Sequence, residues 1–257
     1  MKKISINYLY IEVTRKCTMK CNHCLRGDSQ NISLNVNDIN ELFTNNEFQI
    51  TNINNVIITG GEPTLNYIVI LQIIKQIISK NIIIENFNLQ TNGSIYNQQL
   101  IDGLNEFYNY LKLHNEKPNL HLICSQDQFH RPPKKEILDK YKKLPYFISN
   151  YVYLSENQII RVGKAQENNL GNKESNYETY LYFDLYKHNN YPVILSDNDD
   201  NILINELYLS SKGLYSFHII DVPFKEIDEL CIYNNQQMSD MINNYSKLQK
   251  DKIKRKQ

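Results

Sequence analysis

The sequence has no excess charge of either sign, no tryptophan and no long apolar run. Its 257 residues include 28 basic and 28 acidic side chains, so the formal net charge is zero. That balance argues against broad electrostatic binding to nucleic acid or anionic lipid. No segment approaches the roughly 20 apolar residues that a membrane-spanning helix requires. The start, MKKISINYLYIEV, lacks a clean apolar h-region, because Asn7 and Glu12 interrupt it. No small-residue cleavage site follows, which excludes a signal peptide. A cytoplasmic protein with no membrane segment and no nucleic-acid partner is expected. The missing tryptophan accompanies an abundance of Asn, Ile, Lys and Tyr, residues with A- and T-rich codons. Single Asn, Lys or Tyr residues therefore carry little weight.

A disulfide framework is lacking too. Five cysteines are an odd number, and three of them crowd into the eight residues from Cys17 to Cys24. In a reducing compartment such crowding serves metals more often than cross-links.

Hydrophobic residues make up 41% of the chain, enough for a sizeable core. Residues 4–14 alternate apolar positions with frequent β-branched residues, which predicts a strand. A helix is predicted over 36–48, capped by Asn35 or Asn37. A short apolar strand, 53–59, ends at Gly60 and Gly61. Helices over 67–80, 97–114 and 134–144 then alternate with strands over 82–91, 119–125 and 146–154. The alternation predicts a parallel sheet with right-handed crossovers. The loops that follow its strands converge at one end, where α/β sites are built. Beyond about residue 155 the pattern weakens. Residues 165–178 read as polar loop, 202–219 as a hairpin turning at Lys212 and Gly213, and 224–250 as a helix before a frayed basic tail. No internal repeat and no linker stands out.

Cys17, Cys21 and Cys24 have a C-x3-C-x2-C spacing. Thiolates are soft ligands suited to zinc or to iron–sulfur clusters. Three thiolates leave one iron of a [4Fe–4S] cube without a protein ligand, and an open position is useful for chemistry. Zinc with His23, Cys124 or Cys231 as a fourth ligand is the alternative that spacing leaves open. A ferredoxin-type carrier would need a fourth cysteine and the C-x2-C-x2-C-x3-C-P run, which is missing.

The cysteine spacing, in a loop after the first strand, resembles the radical S-adenosylmethionine (radical SAM) superfamily. The second strand ends in Gly60-Gly61-Glu62-Pro63, similar to the family's GGE-type motif. His23 stands where an aromatic residue usually precedes the third cysteine. The resemblance covers roughly residues 5–165. It implies an α/β fold, a partial (β/α)6 TIM-like barrel with a C-terminal extension. Residues 1–165 would form the core with cluster and cofactor sites, and 166–257 the remainder of the barrel and the extension.

The resemblance also implies roles. Cys17, Cys21 and Cys24 hold a [4Fe–4S] cluster and form the catalytic centre. S-adenosyl-L-methionine has its adenine at His23 and its methionyl ammonium at Gly60, Gly61 and Glu62. Thr91 and Asn92 lie near its methionine or ribose, and Ser125 and Asp127 near the ribose. Arg161 pairs with the methionine carboxylate and Gly163 allows close approach. Plainer readings stand beside these. Gly-Gly and Asn-Gly are turn dipeptides, and Arg161 suits a solvated loop. His130 and Arg131 are candidates to face substrate. Cys124, inside an apolar strand, reads as a buried inert thiol, and Cys231 as packing.

In the chemistry thus implied, an external donor, flavodoxin or ferredoxin, supplies one electron. The cofactor is cleaved to a 5′-deoxyadenosyl radical, which abstracts hydrogen from a substrate. The phrase CNHCLRG resembles peptide-modifying members, so a peptide is one substrate class. A small metabolite or nucleotide is the second, and a non-catalytic zinc-binding module is a third reading. The hairpin 206–217 resembles the strand pair that introduces auxiliary clusters, but Ser216 and Phe217 stand at the cysteine positions, so one cluster is expected. The first strand begins within a few residues of Met1, so no leader-peptide-binding domain is expected before it.

Overall fold

Strand β1 (Lys2–Thr14) buries Ile4, Ile6, Leu9, Ile11 and Val13 in the core and exposes or half-buries Ser5, Asn7 and Tyr8 between them. The computed structural model describes residues 1–44, 46–115, 117–171, 193–195 and 201–215. Helix α1 (Val36–Phe43) starts at a capping box. The Asn35 side chain accepts from the Asn37 and Asp38 amides, and Asp38 accepts from Asn35 N at 2.7 Å. The helix ends five residues earlier than the expected 48. Phe48 and Ile50 instead begin β2 (Phe48–Gly60), whose buried apolar residues are Phe48, Ile50, Ile53, Val56 and Ile58.

Helix α2 (Tyr67–Ser79), β3 (Ile83–Thr91), α3 (Gln98–His114), β4 (Asn119–Gln126), α4 (Lys135–Tyr141) and β5 (Phe147–Tyr151) follow in the expected alternation. Asn97 caps α3 by accepting from Leu100 N at 3.0 Å. A single-turn helix, α5 (Lys164–Glu167), stands where polar loop was expected. Strands β6 (Val193–Leu195), β7 (Asn201–Ser210) and β8 (Gly213–Tyr215) complete the described elements. The hairpin between β7 and β8 turns at Ser211 and Lys212, with Ser210 paired to Gly213. The remainder of the expected polar loop from 172 on, the expected helix 224–250, Ser216, Phe217, Cys231 and the basic tail lie outside the described residues.

The sheet runs β5-β4-β3-β2-β1-β7-β6, with β8 on β7. Strands β1 to β5 and β7 are mutually parallel, and β6 and β8 are antiparallel additions. The fold is therefore α/β with a partial barrel of six parallel strands. The sixth parallel strand lies beside β1, not beyond β5 as chain order alone would place it. Ile70, Ile73 and Ile77 of α2 and Leu100, Leu104 and Phe107 of α3 pack onto Val56, Ile58, Phe87 and Leu89. Each such side chain contributes roughly 1.5–3 kcal/mol when withdrawn from water.

The opposite face of the sheet is polar. Tyr10, Ile57, Asn88 and His121 stand in register across β1 to β4. Asn86 donates to Asn55 at 3.1 Å, and His121 lies 3.0 Å from Asn88. Loops after β1, β2, β3 and β4 gather at the carboxyl end of this sheet. No helix among the described residues is long and apolar enough to cross a membrane.

Candidate active site

The three cysteines occupy an excursion that leaves β1 and returns to it. Its neck is closed by backbone bonds from Arg15 N to Ile32 O at 2.8 Å, Gln30 N to Arg15 O at 3.0 Å and Leu34 N to Val13 O at 3.0 Å. Within it Cys24 N donates to Cys21 O at 3.1 Å, and Cys17 N donates to Ser29 Oγ at 2.9 Å.

The Gly60-Gly61-Glu62 segment is bonded to the start of this excursion. Gly61 N donates to Thr14 O at 2.8 Å and Glu62 N to Lys16 O at 2.7 Å. Gly60 has φ +152°, and a Cβ there would stand 2.2 Å from Thr14 O. Only glycine permits that approach of two backbones.

Glu62 is fully buried. Its Oε1 accepts from Thr64 N at 3.1 Å, Thr64 Oγ1 at 2.6 Å and Thr91 Oγ1 at 2.9 Å. Its Oε2 accepts from Asn92 N at 2.7 Å. Burial raises its carboxyl above the ordinary range against the pull of these four bonds. The side chain thus braces the turn after β3.

All three cluster-loop cysteines are free thiols of intermediate exposure. Burial, and then the nearby Cys24 and Cys17, push the Cys21 thiol up to about 12. Burial likewise raises Cys17, against a bond from Met19 N to its sulfur at 3.4 Å. Thiols that repel one another's charge form a donor set that a cation would bind by displacing protons.

A cleft at the carboxyl end of the sheet is lined by Gly60, Gly61, Thr91, Asn92, Ser125 and His130, together with Thr59 and Gln90, which sequence reasoning missed. Beside it, Asp127 Oδ2 lies 3.3 Å from His23 Nε2 and 2.8 Å from His130 Nδ1. Burial raises the Asp127 carboxyl, but bonds from Phe129 N and His130 and the two imidazoles outweigh it, so it titrates below its usual value. Burial lowers the His23 imidazole despite Asp127. His23 stacks on Phe129 with ring centroids 4.7 Å apart, and its buried Nδ1 has no aligned hydrogen-bond partner among the described residues. Both features suit a flat heteroaromatic ligand.

Two predicted residues lie elsewhere. Arg161 is half-buried, donates to Asn169 at 2.9 Å and is not among the residues that line the cleft. Gly163 (φ +56°) lies against the cysteine excursion. A Cβ there would be 2.4 Å from Leu25 O and 2.7 Å from Cys24 O. The next residue, Lys164, donates its amide to Cys24 O at 2.9 Å. Cys124 is buried, and burial raises its thiol.

The radical SAM superfamily model matches residues 11–155, more than half of the chain. The chain belongs to the radical SAM superfamily. Enzymes of this superfamily use a [4Fe–4S] cluster and S-adenosyl-L-methionine. The residues fit both groups: three soft thiols on one loop, and a polar cleft flanked by an orphaned imidazole nitrogen. Among solved structures, the chain is similar to Streptococcus suis SuiB bound to precursor peptide SuiA, with 16% identity and TM-score 0.39, over 63% of this chain and 37% of that one. It is similar to native anSMEcpe with bound AdoMet and Cp18Cys peptide, with 19% identity and TM-score 0.36, over 70% of this chain and 47% of that one. A hexahistidine-tagged anSMEcpe with bound AdoMet gives 17% identity and TM-score 0.38, over 83% and 56%. This radical SAM chain thus spans about half or less of the length of those structures. No curated protein matches it.

One feature beside the cysteine excursion was not predicted. Glu12, Arg15, Arg26 and Tyr208 are all buried. Arg15 Nε bonds Glu12 Oε1 at 2.7 Å, and Tyr208 OH donates to Glu12 Oε2 at 2.6 Å. Glu12 interrupts an otherwise apolar strand, and that interruption was the available signal.

Proposed function

We propose that this protein cleaves S-adenosyl-L-methionine reductively at a [4Fe–4S] cluster held by Cys17, Cys21 and Cys24. The cofactor pair supplies a 5′-deoxyadenosyl radical that abstracts hydrogen from a substrate. The observation that carries this reading is the bonding of the cysteine excursion to the Gly60-Gly61-Glu62 segment, beside a polar cleft. The chain's own contribution is placement. Gly60 and Gly61 offer backbone carbonyls to the methionyl ammonium. His23 and Phe129 offer a stacking edge to the adenine, and Ser125 and Asp127 offer acceptors to the ribose hydroxyls. Thr91 and Asn92 close the side of the cleft after β3.

The substrate class is a peptide, supported by the CNHCLRG phrase around Cys24. A small metabolite or nucleotide is the second reading. Flavodoxin or ferredoxin is the electron donor and the cytoplasm the setting. Residues 1–165 carry both sites, and 166–257 complete the barrel, a division supported by the pairing of β7 with β1. The anaerobically reconstituted protein, given S-adenosylmethionine and dithionite, should form 5′-deoxyadenosine and methionine, and Cys21→Ala should form neither. Normal cleavage by that variant would overturn the ligand assignment.

A further inference from the structure

The carboxamide of Asn92 is turned toward the cysteine excursion, and its orientation is fixed. Amide oxygen and nitrogen are told apart by their partners. Ser94 N donates to Asn92 Oδ1 at 3.0 Å, which assigns the oxygen. Nδ2 then faces two acceptors, Thr18 Oγ1 at 3.1 Å and Cys17 Sγ at 3.7 Å. The Asn92 backbone amide is held by Glu62 Oε2 at 2.7 Å, and Thr18 Oγ1 lies 2.6 Å from Ser94 Oγ. Asn92 is buried. Its carboxamide oxygen is thus committed to the loop after β3, its carboxamide nitrogen to the cysteine excursion and its backbone amide to Glu62.

We propose that Asn92 is a positioning residue for the iron–sulfur cluster: its carboxamide N–H donates to the Cys17 thiolate, fixes that ligand, and raises the cluster's reduction potential. The proposal rests on the reading of Cys17, Cys21 and Cys24 as cluster ligands. A reduced cluster carries one more negative charge than the oxidised one. Donors aimed at its sulfurs stabilise the reduced form, and such outer partners tune potential and ligand geometry. Glu62 acts through Asn92, because its buried carboxylate holds the amide from which the side chain projects.

The test is an EPR-monitored redox titration of the reconstituted protein without S-adenosylmethionine. Asn92→Asp keeps the oxygen that Ser94 N needs and places a second oxygen against the thiolate. Asn92→Ala removes the donor together with the oxygen that Ser94 N uses. Both variants should have more negative midpoints than the parent, with Asn92→Asp the lower. Thr18→Val, which keeps the bond to sulfur, should stay close to the parent. A second measurement needs no variant. Pulsed EPR of the reduced parent, carrying isotopically labelled asparagine carboxamide nitrogen, should show a labelled nitrogen coupled to the cluster. Unchanged midpoints in loaded variants, or no coupling in the parent, would overturn the proposal and leave the cluster reading standing. A parent that assembles no iron–sulfur cluster would overturn that reading and this proposal together.

Discussion

Arg26 Nη2 donates to the hydroxyl of Tyr208 at 3.0 Å, a bond that joins the cysteine excursion to β7 across 182 positions of the chain. The guanidinium also lies 5.6 Å from the Tyr208 ring centroid. Burial raises the phenol well above its ordinary value, so it remains a neutral donor to Glu12. Tyr208→Phe removes the shared hydroxyl and leaves buried partners short of a bond. A loss of about 1–3 kcal/mol is expected, with lower iron content per chain. Thermal unfolding and iron analysis check this, and unchanged values for both would show that the link holds nothing in place.

Gly163→Ala would force a Cβ toward the carbonyls of Leu25 and Cys24 at a φ that only glycine adopts readily. A cost of about 1–3 kcal/mol is expected from the backbone alone. Cluster loading should fall with it, because the contact is to the excursion that holds Cys24. Full loading and wild-type stability in this variant would contradict the packing described.

Glu62→Ala removes four buried hydrogen bonds at once. Sequence reasoning assigned this carboxylate to the methionyl ammonium, and the structure occupies both of its oxygens with Thr64, Thr91 and Asn92. The variant should therefore lose both stability, by at least about 1–3 kcal/mol, and cofactor affinity. Calorimetry and equilibrium binding separate the two. An unchanged affinity would remove Glu62 from the site.

Protonation of Cys21 gives a pH dependence with a defined sign. Its thiol is raised from 9.0 to about 12, so it keeps its proton in the metal-free fold at neutral pH. A bound cation must displace that proton, so apparent affinity for cobalt, read from its thiolate absorption, should rise with pH. The raised value favours the neutral thiol in the folded chain. Its contribution to stability is present below about 9 and is lost as pH climbs toward 12. The fall should be shallower in Cys21→Ala. A pH-independent cobalt affinity would contradict this environment for the thiol.

Much of this architecture was legible in local pattern. The alternation in β1, the long apolar face of α2 and the cap at Asn35 are all short-range signals. The start of β2 was missed because the expected helix was carried on to Phe48, which instead alternates with Ile50 at the head of the strand. The placement of β7 beside β1 was not legible, since nothing within residues 201–210 names its partner strand. The site divides in the same way. Cysteine spacing and the Gly60-Gly61-Glu62 run announced the chemistry. The positive φ of Gly163 and the direction of the Asn92 carboxamide arise only from tertiary contacts, as does the burial of Arg15 and Arg26.

The most direct test is chemical analysis of oxygen-protected, reconstituted protein for iron and acid-labile sulfide. Three thiolates with one open iron predict roughly four of each per chain, and a visible band that dithionite bleaches. A colourless protein that carries zinc and no inorganic sulfide would contradict the assignment of Cys17, Cys21 and Cys24.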